Sequence, residues 1–248
     1  MSPGAVLLDL DGTLVDTHGA MRKVVVQTLV QLLGELPGSV RGAIADRWIE
    51  DPSRHFLRYE IGEITFAEQR RARFTEVAAI ADAPVDDETY AVWERAYEAG
   101  LGANVRPYGD VTAFLNGLGS TPVAVVTNVR TEFQRTKLAS AGLSERLPVV
   151  VGVDLAGAPK PDPAPFLLAC TLLGVEPSAA VHVGDSLVAD VEGAVAAGLG
   201  AIWLDRAGDG NGGRLPPGAS RVASLSEAAA LIARARLGVG SQSSPLRM

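Results

Sequence analysis

The rhythm of apolar residues changes twice along this chain, and those two changes constrain the fold more than any other feature. Ala5-Val6-Leu7-Leu8-Asp9-Leu10 is a short, mostly apolar run halted by Asp11-Gly12, the pattern of a buried strand. From about residue 17 to 103 the spacing becomes helical. Met21, Val24, Val25, Thr28, Leu29, Leu32 and Leu33 recur on one face. Thr65-x-x-Glu68 fits a capping box opening another helix through Arg70, Arg71 and Arg73, and Tyr90, Trp93, Tyr97 and Leu101 form a third stripe. From about Val105, short apolar runs return at Pro122–Val126, Val149–Val153, Ala180–Val183 and Ala201–Leu204, separated by helical stretches. That alternation predicts successive βα units around a parallel sheet.

The punctuation agrees. Three helices are expected to end alike, at Ala141-Gly142-Leu143, Leu173-Gly174-Val175 and Ala197-Gly198-Leu199, where glycine supplies a left-handed cap. Gly208–Gly218 is a Gly/Pro-rich loop, a last helix starts near the capping box Ser224-x-x-Glu227, and Gly238–Met248 has the composition of a frayed tail. The first strand therefore belongs with the later ones. The expected fold is α/β: a doubly wound parallel sheet built from residues 1–16 and 105–237, with a helical cap, residues 17–104, inserted between them. An insertion directly after the first strand's carboxyl end is expected to lie as a lid over the edge where parallel sheets bind ligands.

Composition excludes several classes of function. With 22 basic residues against 29 acidic ones the net charge is −7, which argues against a broad basic surface for nucleic acid or for an anionic membrane. Hydrophobic residues at 47% against 21% charged exclude disorder as the main state. The single cysteine, Cys170, rules out an internal disulfide and a multi-thiolate metal cage. No apolar stretch approaches the roughly 20 residues of a membrane span, no targeting segment is visible, and the expected compartment is the cytoplasm. Nothing in the sequence fixes the oligomeric state.

The chemistry gathers at strand ends. Asp9-Leu10-Asp11-Gly12-Thr13 closes the first strand, and alternation aims Asp9 and Asp11 to one side. Two such carboxylates are costly together unless a cation or a proton lies between them. Taken alone, the pair is as often a solvated loop. The second strand ends at Val126-Thr127-Asn128, and Ala158-Pro159-Lys160-Pro161-Asp162-Pro163 follows the third. The fourth ends at Val183-Gly184-Asp185-Ser186, with Asp190 five residues past Asp185. Acids gather Mg²⁺, while Lys160 and Thr127 suit the oxygens of a phosphoryl group.

In these four motifs, taken in order, the chain resembles the haloacid dehalogenase superfamily, specifically its phosphatase-like members with a Rossmann-like core and a small helical cap. Asp9-Leu10-Asp11-Gly12-Thr13-Leu14-Val15-Asp16 looks like the first motif and Thr127-Asn128 the second. Lys160 before Pro161 is similar to the third, and Gly184-Asp185-x-x-x-x-Asp190 to the fourth. The resemblance implies a phosphatase acting on a small phosphorylated metabolite through an aspartyl-phosphate. Asp9 would be the nucleophile and Asp11 the general acid and base. Mg²⁺ would be held by Asp9, Asp185 and the backbone carbonyl of Asp11. Thr127 and Lys160 would bind the phosphoryl group, with Asn128 supporting them or capping the next helix. Asp190 would meet a metal-bound water or Lys160, unless it is only a helix-start acid.

True dehalogenases of the superfamily lack an acid where Asp11 stands, because a halide leaves without a proton. Two other readings stay open: a sugar phosphomutase on the same core, and a non-catalytic phospho-acceptor module. Elsewhere, His182 is expected to be packed rather than catalytic and Cys170 an inert buried thiol. Arg70, Arg71 and Arg73 form a solvated helix face, and Trp48, Trp93 and Tyr97 the core of the cap. Arg54, His55 and Arg58, between cap helices, are candidates for substrate contact.

Overall fold

A computed structural model describes residues 3–208 and 214–237. The segment expected to fray, Gly238–Met248, and part of the Gly/Pro-rich loop, residues 209–213, lie outside the described residues. Among the described residues six strands form one sheet: β1 (Ala5–Leu8), β2 (Val123–Val126), β3 (Val149–Val151), β4 (Ala180–Gly184), β5 (Gly200–Leu204) and β6 (Ala219–Val222). All neighbours pair in parallel, in the order β3-β2-β1-β4-β5-β6.

Strand β1 lies at the centre, with Leu7 between Ala124 of β2 and His182 of β4. Its four residues are fully buried, which is why it is apolar without alternation. From β1 the chain builds outward to β3 on one side, then crosses to build β4, β5 and β6 on the other. The strand order thus reverses between β1 and β4. A doubly wound sheet opens its ligand crevice there, beyond the carboxyl ends of the strands.

The main differences from the sequence reading are at two strand ends and at one edge of the sheet. β1 stops at Leu8, because Asp9 and Leu10 already belong to the turn around Gly12. β3 stops at Val151, and Val153 opens a short helix. β6 was not anticipated. As an edge strand paired, among the described residues, only with β5, it carries Ser220 and an exposed Arg221 in place of a buried run.

Residues up to Val15 and from Pro107 onward form one unit, and Asp16–Arg106 form the other. The second unit holds five helices: α1 (Thr17–Leu33), α2 (Gly38–Glu50), α3 (His55–Glu60), α4 (Phe66–Ile80) and α5 (Asp87–Asn104). The capping box is formed: the Thr65 hydroxyl accepts from the Glu68 N–H at 3.2 Å, and the Glu68 carboxylate from the Thr65 N–H at 2.7 Å. Trp48, Phe74, Trp93 and Tyr97 are buried together. The Trp48 ring meets Trp93 edge-on at 5.4 Å and donates its Nε1–H to the Tyr97 hydroxyl at 2.8 Å.

Arg70 and Arg73 are not on a solvated face; both are buried in this unit. Aromatic rings from three helices make that possible, since a ring face attracts a guanidinium. Arg70 lies 4.9 Å from the Tyr97 centroid and 5.1 Å from that of Phe66. Arg73 lies 4.3 Å from the Trp48 ring and donates to the Trp48 carbonyl. Arg71 keeps more solvent, stacking on Tyr90 at 4.6 Å and pairing with Asp87 at 2.9 Å. His55 and Arg58 lie in α3 itself: His55 pairs with Glu76 at 3.0 Å, and Arg58 pairs with Glu63 at 3.1 Å.

The sheet is flanked by α6 (Val111–Leu118), α7 (Thr131–Ser140), α8 (Val153–Ala156), α9 (Ala164–Leu173), α10 (Gly193–Ala196) and α11 (Leu225–Leu237), with a wide π-type turn at Leu187–Glu192 before α10. Gly142, Gly174 and Gly198 all take positive φ where the helices end, as their positions in the sequence require. The Glu227 N–H donates to Ser224 at 3.3 Å, opening α11. Among the described residues no helix is long and apolar enough to cross a membrane.

Candidate active site

Each site residue is set by the backbone that ends its strand. The Asp9 N–H donates to the Val183 carbonyl at 2.9 Å, carrying the β1–β4 ladder one step past the strand. Gly12 follows at φ +84°, and a Cβ there would overlap the Asp185 carboxylate. Only glycine both turns the chain there and leaves that room. Asp185 is tied at two points: Thr13 donates to its Oδ1 at 3.2 Å, and the Trp203 ring N–H to its backbone carbonyl at 2.9 Å.

Lys160 is the hub. Its Nζ donates to Asp9 Oδ1 at 2.7 Å, to Asp190 Oδ1 at 2.6 Å and to the Val126 carbonyl at 2.9 Å. All three donors of the ammonium are spent, at a position only 3% exposed. Asn128 fixes the loop that carries it: its Oδ1 accepts the Lys160 N–H at 2.6 Å, and its Nδ2 donates to the Lys160 carbonyl at 3.0 Å. Asn128 therefore works on the Lys160 peptide. Asp190 is equally committed. Besides Lys160, its Oδ1 faces His182 Nε2 at 3.0 Å, and its Oδ2 accepts the Ser186 N–H at 2.9 Å. His182 is packed, edge-on to Phe166 at 5.0 Å.

The electrostatics sort these acids into two kinds. Burial raises Asp9 well above the ordinary carboxylate range; Lys160 opposes that, while Asp190, Asp185 and Asp11 add to it. Burial and then Asp190 push Asp185 up to about 7. For Asp190, burial is outweighed by Lys160 and His182, which hold it below its usual value. Burial likewise works against the Lys160 ammonium, but Asp190 and Asp9 outweigh it and hold that group above its ordinary value. Asp190 and Lys160 are a satisfied pair. Asp9 and Asp185 carry negative charge that the protein does not fully answer.

That imbalance is the test for a metal. Carboxylate oxygens of Asp9, Asp185 and Asp190 lie within 4.8 Å of one another. An all-oxygen, multiply charged donor set suits a hard divalent cation. Asp190 has both oxygens occupied, so Asp9 and Asp185 are the members whose charge a cation would balance.

Asp11 is drawn to a different element. Lys137 Nζ donates to its Oδ1 at 2.6 Å, and Gln134 Nε2 to its Oδ2 at 2.6 Å. The same Gln134 nitrogen reaches Thr127 Oγ1 at 2.7 Å. Sequence reasoning passed over both residues. The available signal was on α7, where three of the four buried residues, Thr131, Gln134 and Lys137, put polar side chains where a packed helix carries apolar ones such as Leu138. Asp154 orders the start of that helix, its Oδ1 accepting both the Thr131 N–H and hydroxyl at 2.8 Å.

Known proteins resemble this chain in sequence and in fold. The haloacid dehalogenase-like hydrolase family matches residues 3–198. The plasmid phosphoglycolate phosphatase of Cupriavidus necator is 34% identical over 238 residues, 94% of each chain. The phosphoglycolate phosphatase of Nitrosospira multiformis is 33% identical over 198 residues, 78% of this chain and 79% of its own. In fold, the magnesium-bound HAD-hydrolase YfnB of Bacillus subtilis matches with a TM-score of 0.76, over 94% of this chain and 100% of its own, at 18% identity. The chain belongs to the haloacid dehalogenase-like hydrolases and is a phosphatase, a phosphoric monoester hydrolase, of that family.

Proposed function

We propose that this phosphatase is Mg²⁺-dependent and hydrolyses a small phosphorylated metabolite through a phosphoryl group carried on Asp9. One observation carries the reading: Lys160 occupies a single oxygen of a buried Asp9, beside an Asp185 whose charge also wants a cation. With Oδ1 held, Asp9 Oδ2 is the oxygen directed to bond to phosphorus as the ester oxygen leaves. Asp11 gives that leaving oxygen a proton. It then takes a proton from the water that splits the aspartyl-phosphate, so Asp9 is regenerated and phosphate released. Thr127 donates to the phosphoryl oxygens, the positive charge of Lys160 beside Asp9 offsets theirs, and Asn128 and Asp190 hold Lys160 in place. Mg²⁺, held by Asp9, Asp185 and the Asp11 backbone carbonyl, supplies charge neutralisation for carboxylate and phosphate when bound.

The named relatives make phosphoglycolate the first substrate to try. Phosphate release should require Mg²⁺ and should vanish in Asp9→Asn. Release that persists in that variant would remove Asp9 from the mechanism. Isomerised sugar phosphate without free phosphate would instead favour a mutase.

A further inference from the structure

Helix α7 carries a buried polar stripe that packing alone does not call for. Well-packed apolar residues stabilise such a position as well as a buried ion pair does, or better. Yet Lys137 is 2% exposed, lies 5.1 Å from the Phe133 ring centroid, and bonds Asp11 at 2.6 Å. Gln134, one turn earlier, uses one amide nitrogen for both Asp11 and Thr127. A single helix face thus touches two groups that phosphoryl transfer needs.

Each contact has a chemical consequence. Thr127 Oγ1 accepts from Gln134 at 2.7 Å and from the Val129 N–H at 3.3 Å. A hydroxyl has two acceptor lone pairs and one hydrogen. With N–H groups at both pairs, Thr127 is left to act as a donor, the role a phosphoryl oxygen requires. Asp11 is gripped by one N–H at each oxygen, which fixes the plane and position of its carboxyl group.

We propose that Gln134 and Lys137 are positioning residues for the reaction: Lys137 places Asp11 for proton transfer to the leaving oxygen, and Gln134 sets the Thr127 hydroxyl as a donor to the phosphoryl group. The inference rests on the phosphatase reading above and extends it to residues that never touch the transferred group.

The test compares kcat/KM on p-nitrophenyl phosphate and phenyl phosphate, with Mg²⁺ and the full chain. The two differ little in shape, but nitrophenolate leaves readily without a proton while phenolate depends more on one. Lys137→Met should therefore lose about 10-fold more on phenyl phosphate than on p-nitrophenyl phosphate. Lys137→Arg, which keeps the charge, should recover most of that difference. Gln134→Leu should lose about 10-fold on both substrates, because Thr127 serves every phosphoryl group. Thermal melting establishes that each variant is folded, and Lys137→Gln replaces the methionine variant if it is not. Equal losses on both substrates in the Lys137 variants, or wild-type rates in Gln134→Leu, overturn the inference alone. A wild-type chain that releases phosphate from neither substrate overturns the phosphatase reading and the inference with it.

Discussion

Lys160 holds apart two buried carboxylates, Asp9 and Asp190, that would otherwise face each other, and it does so with every donor it has. Removing one partner of a buried charge set costs more than the set contributes, because the remaining charges stay desolvated. Lys160→Met should lower unfolding stability by about 3–5 kcal/mol in urea melts without added metal, and adding Asp190→Asn should return part of the loss. A Lys160→Met chain as stable as wild type would contradict the hub. Asp9, Asp11, Thr127 and Asp185 were legible because each lies at or just after a strand end, where local sequence marks the turn; Lys160 stood out between two prolines and Asp190 by its spacing from Asp185. Gln134 and Lys137 were not, since a glutamine and a lysine on a helix look solvated until the sheet beneath them is known. Arg70 and Arg73 misled for the same reason: much of the aromatic surface that buries them comes from α2 and α5, far off in sequence.

Elements owe their positions to a few polar ties between loops. Asp110, just before α6, accepts from both Arg206 amino groups at 3.0 and 3.1 Å and from the Leu225 N–H that opens α11 at 2.9 Å. Burial alone would raise its carboxyl pKa, but Arg206 and the Leu225 N–H outweigh it and hold the group below the ordinary value. A carboxylate depressed on folding adds stability above its unfolded pKa and loses it as pH falls through the folded one. Asp110→Asn should therefore cost about 1–3 kcal/mol near neutrality, and the gap to wild type should close in acid. A gap that stays constant or widens as the pH is lowered would refute the pairing. At this scale, strands β1, β2, β4 and β5 and the glycine-capped helix ends were readable from apolar runs and turn residues. The edge strand β6 was not: half-exposed strands carry no continuous run, and the Arg221 guanidinium pairs with Asp205 and lies over the Trp203 ring.

Across the whole molecule, one strand at the start of the chain serves a sheet whose other members follow about a hundred residues later. The long insertion costs little, because loop-closure entropy grows only slowly with length. It leaves β1 central and next to β4, so that Asp9 and Asp185 meet at the point where the strand order reverses. The acidic balance of the chain is consistent with an anionic substrate under the proposed mechanism: the acids at the switch point would be partners for a cation, and the phosphoryl group would meet that cation and the charge of Lys160. The central claim is the covalent phosphoryl group on Asp9, and chemical trapping reads it directly. Acid quench during turnover followed by borohydride reduction converts an aspartyl-phosphate to homoserine, which peptide mass spectrometry locates. Homoserine at position 9, formed only when substrate and Mg²⁺ are both present, is the predicted result. Its absence during active turnover, or its appearance at another aspartate, would contradict the account.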